Sequence, residues 1–281
     1  MHAYLIIAHN EFEVLQKLVQ ALDDKRNDIY VHIDKKVKTL PELSVEHSRL
    51  YLLEHRVDVR WGTVSQIKAE YRLMEEAYKQ GGYDYYHIIS GTHYPLKSQD
   101  ELHAYFDGLG GKSLLQPMES SAYQEDLKFR RYNFCINGFH HPKLWVALVT
   151  QFIWKSLIRL QKIFHIRRHK TKRYYKASQW VGLNKEHVQY LLDHSKKIMS
   201  DYRFTFCGDE YFIPTELING NMEKDILSVN SLLYYDMVKA ETSFFTMNDY
   251  NRLMECDCLF ARKFSSYDMH LVNKIYERIK K

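Results

Sequence analysis

Two apolar runs with one amphipathic stretch between them fill the chain as far as Asp34, and their order restricts the fold more than any other feature. Ala3 to Ala8 is apolar throughout and too short for the basic, apolar and cleavage regions of a signal peptide, so it reads as a buried strand from His2 to Ala8. Between Glu11 and Leu22, the residues Val14, Leu15, Leu18, Val19 and Leu22 recur on one helical face, and Asp28 to Ile33 returns to a strand pattern. This is a βαβ opening. Leu50 to Leu53 as a third strand, Thr63 to Tyr78 as a helix and Tyr85 to Ser90 as a fourth strand continue it, and Gly91 to Leu96 breaks it as a loop. Open α/β sheets bind ligands at the carboxyl ends of their strands, so Ala8 to Asn10, Asp34 and the Gly91 loop are expected to converge on one crevice.

Past residue 100 the alternation weakens. Gln99 to Tyr105 reads as helical, Ser113 to Pro117 as extended, and Leu144 to Phe164 as a long amphipathic helix. Lys185 to Asp193, Asp209 to Glu216, Met247 to Glu255 and a stretch from Tyr267 onward read as further helices, with a mobile stretch near Arg167 to Arg173. No Pro/Gly/Ser linker divides the 281 residues, which predicts a single domain with a nucleotide-binding half, 1–110, and an acceptor-binding and catalytic half, 111–281.

The net charge of +5 conceals an asymmetry, because no acidic residue lies between Asp126 and Glu186 while 14 of the 40 Lys and Arg do. The remaining 26 basic residues face 35 acidic ones, so a cationic segment sits on an acidic body. That acidic remainder argues against a nucleic-acid-binding protein. The apolar run from Leu144 to Trp154 falls short of the ~20 residues a spanning helix needs. Trp145, Leu148, Val149, Phe152, Ile153, Leu157, Leu160 and Phe164 can nevertheless form a helix face beside Lys155, Arg159, Lys162 and Arg167-Arg168. Such a helix suits peripheral contact with an anionic membrane, and equally suits ordinary core packing with a solvated basic face. The four cysteines show no zinc-binding spacing and fit reduced thiols in a cytoplasm.

Glu210, in Phe206-Cys207-Gly208-Asp209-Glu210, is the candidate catalytic carboxylate, placed just after a turn where it can take a proton from a hydroxyl. The alternative is a solvated acid in a helix's first turn with Asp209 as cap. Asp34, at the tip of the second strand, suits either ribose hydroxyls or a uracil edge, or the capping of a turn before Lys35-Lys36. Trp61, next to Gly62 and just before a helix, suits stacking on a base or sugar, or a place in the core. No DxD motif occurs where a metal-dependent nucleotide-sugar transferase carries one, so no metal is expected, and protein cations would have to meet a leaving diphosphate. Arg262 and Lys263, in the aromatic-flanked stretch Phe260 to Phe264, are the candidates.

Trp61-Gly62, Ser90-Gly91-Thr92-His93-Tyr94-Pro95-Leu96, Ser178-Gln179-Trp180, Asp209-Glu210 and Phe260-Ala261-Arg262-Lys263-Phe264 follow one another in this order. With them, nearly the whole chain resembles the core-2/I-branching β-1,6-N-acetylglucosaminyltransferases, the family 14 glycosyltransferases that include peptide O-xylosyltransferases. The resemblance implies a variant GT-A fold, a Rossmann-like mixed α/β sheet flanked by helices. It implies inverting, metal-independent transfer from a UDP-sugar, GlcNAc first among the candidates, to a glycan acceptor. By the same resemblance Glu210 is the base, and Lys263, with Arg262, binds the diphosphate. Ala8, His9, Asp34 and Trp61 contact the nucleotide, and Gln179 and Trp180 border the sugar or acceptor. Arg130 and Arg131 are candidate acceptor contacts. The chain departs from the family's pattern in having His93 where an acidic residue is usual. It also lacks a clear second diphosphate-binding arginine, Lys239 being the nearest cation. Because the chain begins in its first strand, it looks like a bacterial cytoplasmic relative at the inner face of the plasma membrane, working on a lipid-linked oligosaccharide for surface polysaccharide. The competing reading is an inactive transferase-like protein that binds a membrane or a partner.

Overall fold

The computed structural model describes residues 1–238 and 241–280. The N-terminal half contains β1 (His2–Ala8), α1 (Phe12–Ala21), β2 (Asn27–Ile33), β3 (Arg49–Leu52), α2 (Val64–Gln80), β4 (Tyr85–Ser90), β5 (His93–Pro95) and α3 (Gln99–Asp107). It continues through β6 (Ser113–Leu115), α4 (Ala122–Lys128), α5 (Leu144–Ile163), β7 (Val181–Asn184), α6 (Lys185–Asp193), α7 (Ser195–Tyr202) and α8 (Phe212–Asn219). The last part holds β8 (Ile226–Ser228), β9 (Leu233–Tyr235), β10 (Met237–Val238), β11 (Glu241–Thr242), α9 (Tyr250–Glu255), β12 (Phe260–Arg262) and α10 (Met269–Ile279).

A seven-stranded mixed sheet runs β3-β2-β1-β4-β7-β6-β8. The first four strands in that order are parallel, β7 is antiparallel to β4 and to β6, and β8 is parallel to β6. Strands β1, β2 and β4 are buried almost without interruption, as parallel strands covered by helices on both faces must be. The chain builds outward from β1 to β3 and then returns to the other side of β1 to lay down β4. The switch point of the sheet is therefore between β1 and β4, where a Rossmann-like sheet opens its crevice.

Three strand tips stand level there: Ala8 pairs with Ile33, and Ile7 with Ser90. The Asp34 N–H then bonds the Ala8 carbonyl at 2.9 Å, and the Gly91 N–H the Ile7 carbonyl at 2.9 Å. A Cβ on Gly91 would lie 2.7 Å from the Cβ of Ala8, so only glycine lets the β4 exit pass the β1 tip this closely.

The segment expected as a loop after β4 contains strand β5. Its partner is remote: β5 pairs antiparallel with β12, Arg262 opposite His93, and β12 pairs in parallel with β9 to complete a second sheet. Local sequence pattern cannot reveal a three-residue strand whose partner comes so late in the chain. The helix expected from Asp209 begins at Phe212 instead, because Gly208 to Tyr211 is a turn whose Gly208 carbonyl receives the Phe212 N–H at 2.9 Å. The stretch 167–173, expected to be mobile, is held at both edges: the Arg168 N–H bonds the Arg130 carbonyl, and Lys172 bonds Asp201 and Glu216. Lys239 lies outside the described residues.

Gly91→Ala tests the close approach. Overpacking against a rigid Cβ is expected to cost about 1–3 kcal/mol, read as a lowered urea midpoint with an unchanged slope; an unchanged midpoint would show that the two strand tips have room to separate.

Candidate active site

Glu210 stands at the end of the turn before α8, with a third of its side chain exposed. Two lysines flank it: Lys176 Nζ is 3.4 Å and Lys128 Nζ 3.9 Å from Oε2, and both lysine side chains are largely enclosed. Lys128 also lies 5.2 Å from the centre of the Tyr211 ring. The base candidate is thus a carboxylate open to the crevice with cations on its inner side. Its backbone carbonyl receives the Ala177 N–H at 2.9 Å, which fastens the Ser178-Gln179-Trp180 stretch directly beside it.

Asp209 points the other way, into the protein, where Gln66 donates to its Oδ2 at 3.2 Å and Oδ1 has no partner among the described residues. It does not cap a helix. Burial, then the neighbouring Glu210 charge, pushes its carboxyl up to about 7. Behind it on α2 is Glu70, fully buried, whose Oε1 accepts from Gln179 Nε2 at 2.7 Å. Burial, and then the charge of Asp209, hold Glu70 well above the usual carboxylate range, against the opposing hydrogen bond from Gln179. Gln66 and Glu70 are one helical turn apart on a face otherwise made of Ile67, Tyr71 and Met74, and Thr63 caps the helix from which they project. The Gln66 side chain also accepts the Gly62 N–H at 2.7 Å, and the Gly62 carbonyl receives the Cys207 N–H at 2.8 Å. The Trp61-Gly62 turn and the turn carrying Glu210 are thereby joined. Trp61 is half exposed above them, edge-on to His140 and Phe206 at 4.5 and 5.3 Å.

On the other side of Gln179, the Trp180 ring carries Arg262 at 4.9 Å and meets His93 edge-on at 4.7 Å. The Arg262 Nε–H is enclosed with no partner among the described residues, and burial lowers the guanidinium to about 10. His93, in the position where an acid was usual, is bonded through Nδ1 to Ser90 Oγ at 2.7 Å, and burial with the Arg262 charge keeps its ring well below the ordinary histidine range. With histidine there, the Arg262 charge is left without a carboxylate partner among the described residues. Lys263 follows on the same strand edge, its Nζ 5.8 Å from the Phe244 ring.

His9 shows that the strand tips share this space. Desolvation holds its ring below the usual range; the charge of Asp34 opposes this, and those of Lys36, Lys263 and Arg262 add to it. Asp34 is buried and does cap its turn, Oδ1 accepting the Lys36 N–H at 2.8 Å and Oδ2 the Lys36 Nζ at 2.6 Å. Each oxygen keeps a second lone pair for a ligand. The structure brings Ala8, His9, Asp34, Arg262 and Lys263 to one crevice, and links Trp61, Gln179, Trp180 and Glu210 to it.

Arg130 and Arg131 are not brought there. Arg130 donates to the carbonyls of His169, Lys170 and Lys172, while Arg131 bonds Asp126 and the carbonyls of Gln161 and Ile166. Their donors hold the 161–172 backbone in place instead of facing a ligand.

A family model described as Core-2/I-Branching enzyme matches residues 2–264, from β1 through the Arg262-Lys263 stretch. The chain belongs to the Core-2/I-Branching enzyme family. It is 22% identical over 221 residues to the human β-1,3-galactosyl-O-glycosyl-glycoprotein β-1,6-N-acetylglucosaminyltransferase, a match over 76% of this chain and 47% of that protein. Xylosyltransferase 2 of Bos taurus is 27% identical over 121 residues, 41% of this chain and 14% of its own length. The chain therefore spans half or less of these relatives. Among solved structures, apo mouse xyloside xylosyltransferase 1 superimposes with a TM-score of 0.39 at 10% identity, covering 93% of this chain and 97% of its own. Staphylococcus aureus TarS 1–349 in complex with UDP gives 0.29 at 15% identity over 43% and 36%.

In this Core-2/I-Branching chain the residues that sequence reading missed are Lys128, Lys176, Gln66 and Glu70. The signal for the last two was present as polar residues at i and i+4 inside an apolar helix face. Lys176 stands two residues before a motif already singled out.

Because Asp209 loses its proton near 3.8 when unfolded and near 7 when folded, its ionisation destabilises the fold increasingly as pH rises between those values. Asp209→Asn is expected to be more stable than wild type, by roughly 2–4 kcal/mol above about pH 7, with the gain fading as pH falls toward about 4. Urea melts at several pH values check this; a pH-independent difference would remove Asp209 ionisation as its cause.

Proposed function

We propose that this Core-2/I-Branching chain is an inverting, metal-independent glycosyltransferase that moves a sugar, GlcNAc first among the candidates, from a UDP-sugar to a hydroxyl of a glycan acceptor. One observation carries the reading. Through the continuous run Ala177 to Trp180, the backbone carbonyl of Glu210 is bound to the stretch that holds Arg262 over Trp180, so the residue that takes the proton and a leaving-group cation belong to one connected assembly. Glu210 takes the proton of the acceptor hydroxyl as its oxygen attacks the anomeric carbon. The bond from that carbon to the UDP oxygen breaks on the far face, which inverts the configuration. The charge arriving on the diphosphate is met by Arg262 and Lys263.

The unmatched charge of Arg262 supports the metal-free reading, since it supplies in protein form what a divalent ion would otherwise supply. GlcNAc is favoured over xylose because the human N-acetylglucosaminyltransferase aligns over 76% of the chain and xylosyltransferase 2 over 41%. We assign the acceptor to a lipid-linked oligosaccharide at the inner face of the plasma membrane, in bacterial surface polysaccharide synthesis. The cationic segment beside the catalytic turn supports that assignment.

Calorimetric titration of UDP, GDP, CMP and their sugars, first in EDTA and then with Mn²⁺, tests the donor site. UDP-sugar binding in EDTA, weakened about tenfold or more in Lys263→Ala, is expected; binding only with Mn²⁺ would refute metal independence, and no nucleotide binding would leave a transferase-like binding protein. Glu210→Gln is expected to lose more than about 10²-fold in turnover with an unchanged melting curve. Turnover near wild type in that variant would remove Glu210 as the base.

A further inference from the structure

Helix α5 presents an apolar face that nothing among the described residues covers. Its inner seam, Ala147, Trp154, Ile158 and Gln161, packs against the segment between α4 and α5, with Trp154 Nε1 bonded to Asn133 Oδ1 at 2.8 Å. Its outer half carries Trp145, Leu148, Val149, Phe152, Leu160 and Ile163, of which Trp145, Phe152 and Ile163 are 65, 71 and 61% exposed. Soluble surfaces carry such side chains singly; a row along one helix marks a docking surface. Lys155, Arg159 and Lys162, at i, i+4 and i+7, run along one edge of the row, all exposed.

We propose that this face of α5 lies in the headgroup region of an anionic lipid bilayer, with the apolar row inserted and the basic edge against lipid phosphates. Charge decides the occupant. No acidic residue occurs from Leu127 to Lys185, so the helix itself carries charge of one sign, and a second copy of the same face would set like charges against each other. An outward row of large side chains on a lone helix also suits a fluid surface better than a shaped protein pocket. The helix lies on the membrane and does not cross it: among the described residues no helix is long and apolar enough to span a bilayer.

Docking in this way sets the position of the chemistry. Trp154 meets the Phe206 ring at 5.9 Å, and Phe206 leads directly into the turn that ends at Glu210. The turn that carries the proton acceptor is thus packed against the inner seam of the docked helix through two rings. The use made of this placement, though not the binding itself, rests on the lipid-linked acceptor proposed above.

Flotation of the full chain, without nucleotide, with vesicles of phosphatidylcholine alone or mixed with phosphatidylglycerol, is the test. Binding to the mixed vesicles, reduced by salt, and at least about tenfold weaker for Phe152→Glu combined with Leu148→Glu, is expected. Lys155→Glu with Arg159→Glu should abolish the preference for the anionic vesicles. A blue shift of wild-type tryptophan emission on adding those vesicles, absent in Trp145→Phe, reports insertion without a surface-charge variant, should the Glu variants fail to fold. No binding of the wild-type chain to either vesicle overturns the proposal. So does a dimer in light scattering that Phe152→Glu dissociates while vesicles are ignored, which would give the face to a second copy. UDP-sugar titration of the same variants is expected to be unchanged, so failure of the membrane proposal and failure of the transferase reading are told apart.

Discussion

The level alignment of three parallel strand tips is the constraint on which the rest of the structure depends. Ala8 opposite Ile33 and Ile7 opposite Ser90 fix where β1, β2 and β4 stop, and a one-residue slip in any of them would turn its side chains to the other face of the sheet. With the tips level, Asp34 and Gly91 are held by backbone hydrogen bonds to β1, and the exit of β4 is aimed so that β5 can receive β12. Arg262 reaches the crevice because it is the register partner of His93. The position of a cation near the end of the chain is thus set by strand pairing at its beginning.

Around that frame the site keeps its ionisable groups at odds with their surroundings. Asp209 and Glu70 are buried acids, each with one carboxyl oxygen unpartnered among the described residues, and Arg262 is a largely enclosed cation over the Trp180 ring. None of these is what stability alone would select, since buried charge without a partner raises the free energy of the folded state. The helix α2 and the motif strand β12 hold them because their backbones are fixed by packing elsewhere. Glu210, by contrast, is a third exposed with two lysines beside it, so the two neighbouring acids differ in setting: one is turned inward with its carboxyl pushed up to about 7, the other is partly open to solvent.

Much of this could be read before the structure was known, and the parts that could not share a physical cause. The βαβ opening, β4 from Tyr85 to Ser90 and α6 from Lys185 to Asp193 are local patterns, and local patterns are legible. Ala8, His9 and Asp34 were legible as neighbours because strand ends mark them, whereas Arg262 and Lys263 were marked as cations by their motif and not by any sign of which strand they would pair with. Strand β5 and the late start of α8 were not, since one depends on a partner far along the chain and the other on a turn that competes with helix propensity. Arg130 and Arg131 looked like ligand contacts because a guanidinium can serve a backbone as well as an anion, and only the positions of the 161–172 carbonyls decide which. On α5 the sequence allowed two environments for one apolar row, and among the described residues the helix has both a packed inner seam and an exposed outer row.

The contact between Glu11 and the far end of the chain carries one more consequence. At the left-handed start of α1, Glu11 accepts hydrogen bonds from Ser265 and Ser266, across a separation of 254 residues in the first case. During synthesis the N-terminal sheet can pair as soon as β4 leaves the ribosome, but this latch and the seating of β12 between β5 and β9 must wait for nearly the whole chain. The crevice is therefore the last part of the molecule to be assembled. A nascent chain has its first parallel strands in place before β12 can bring Arg262 and Lys263 to them.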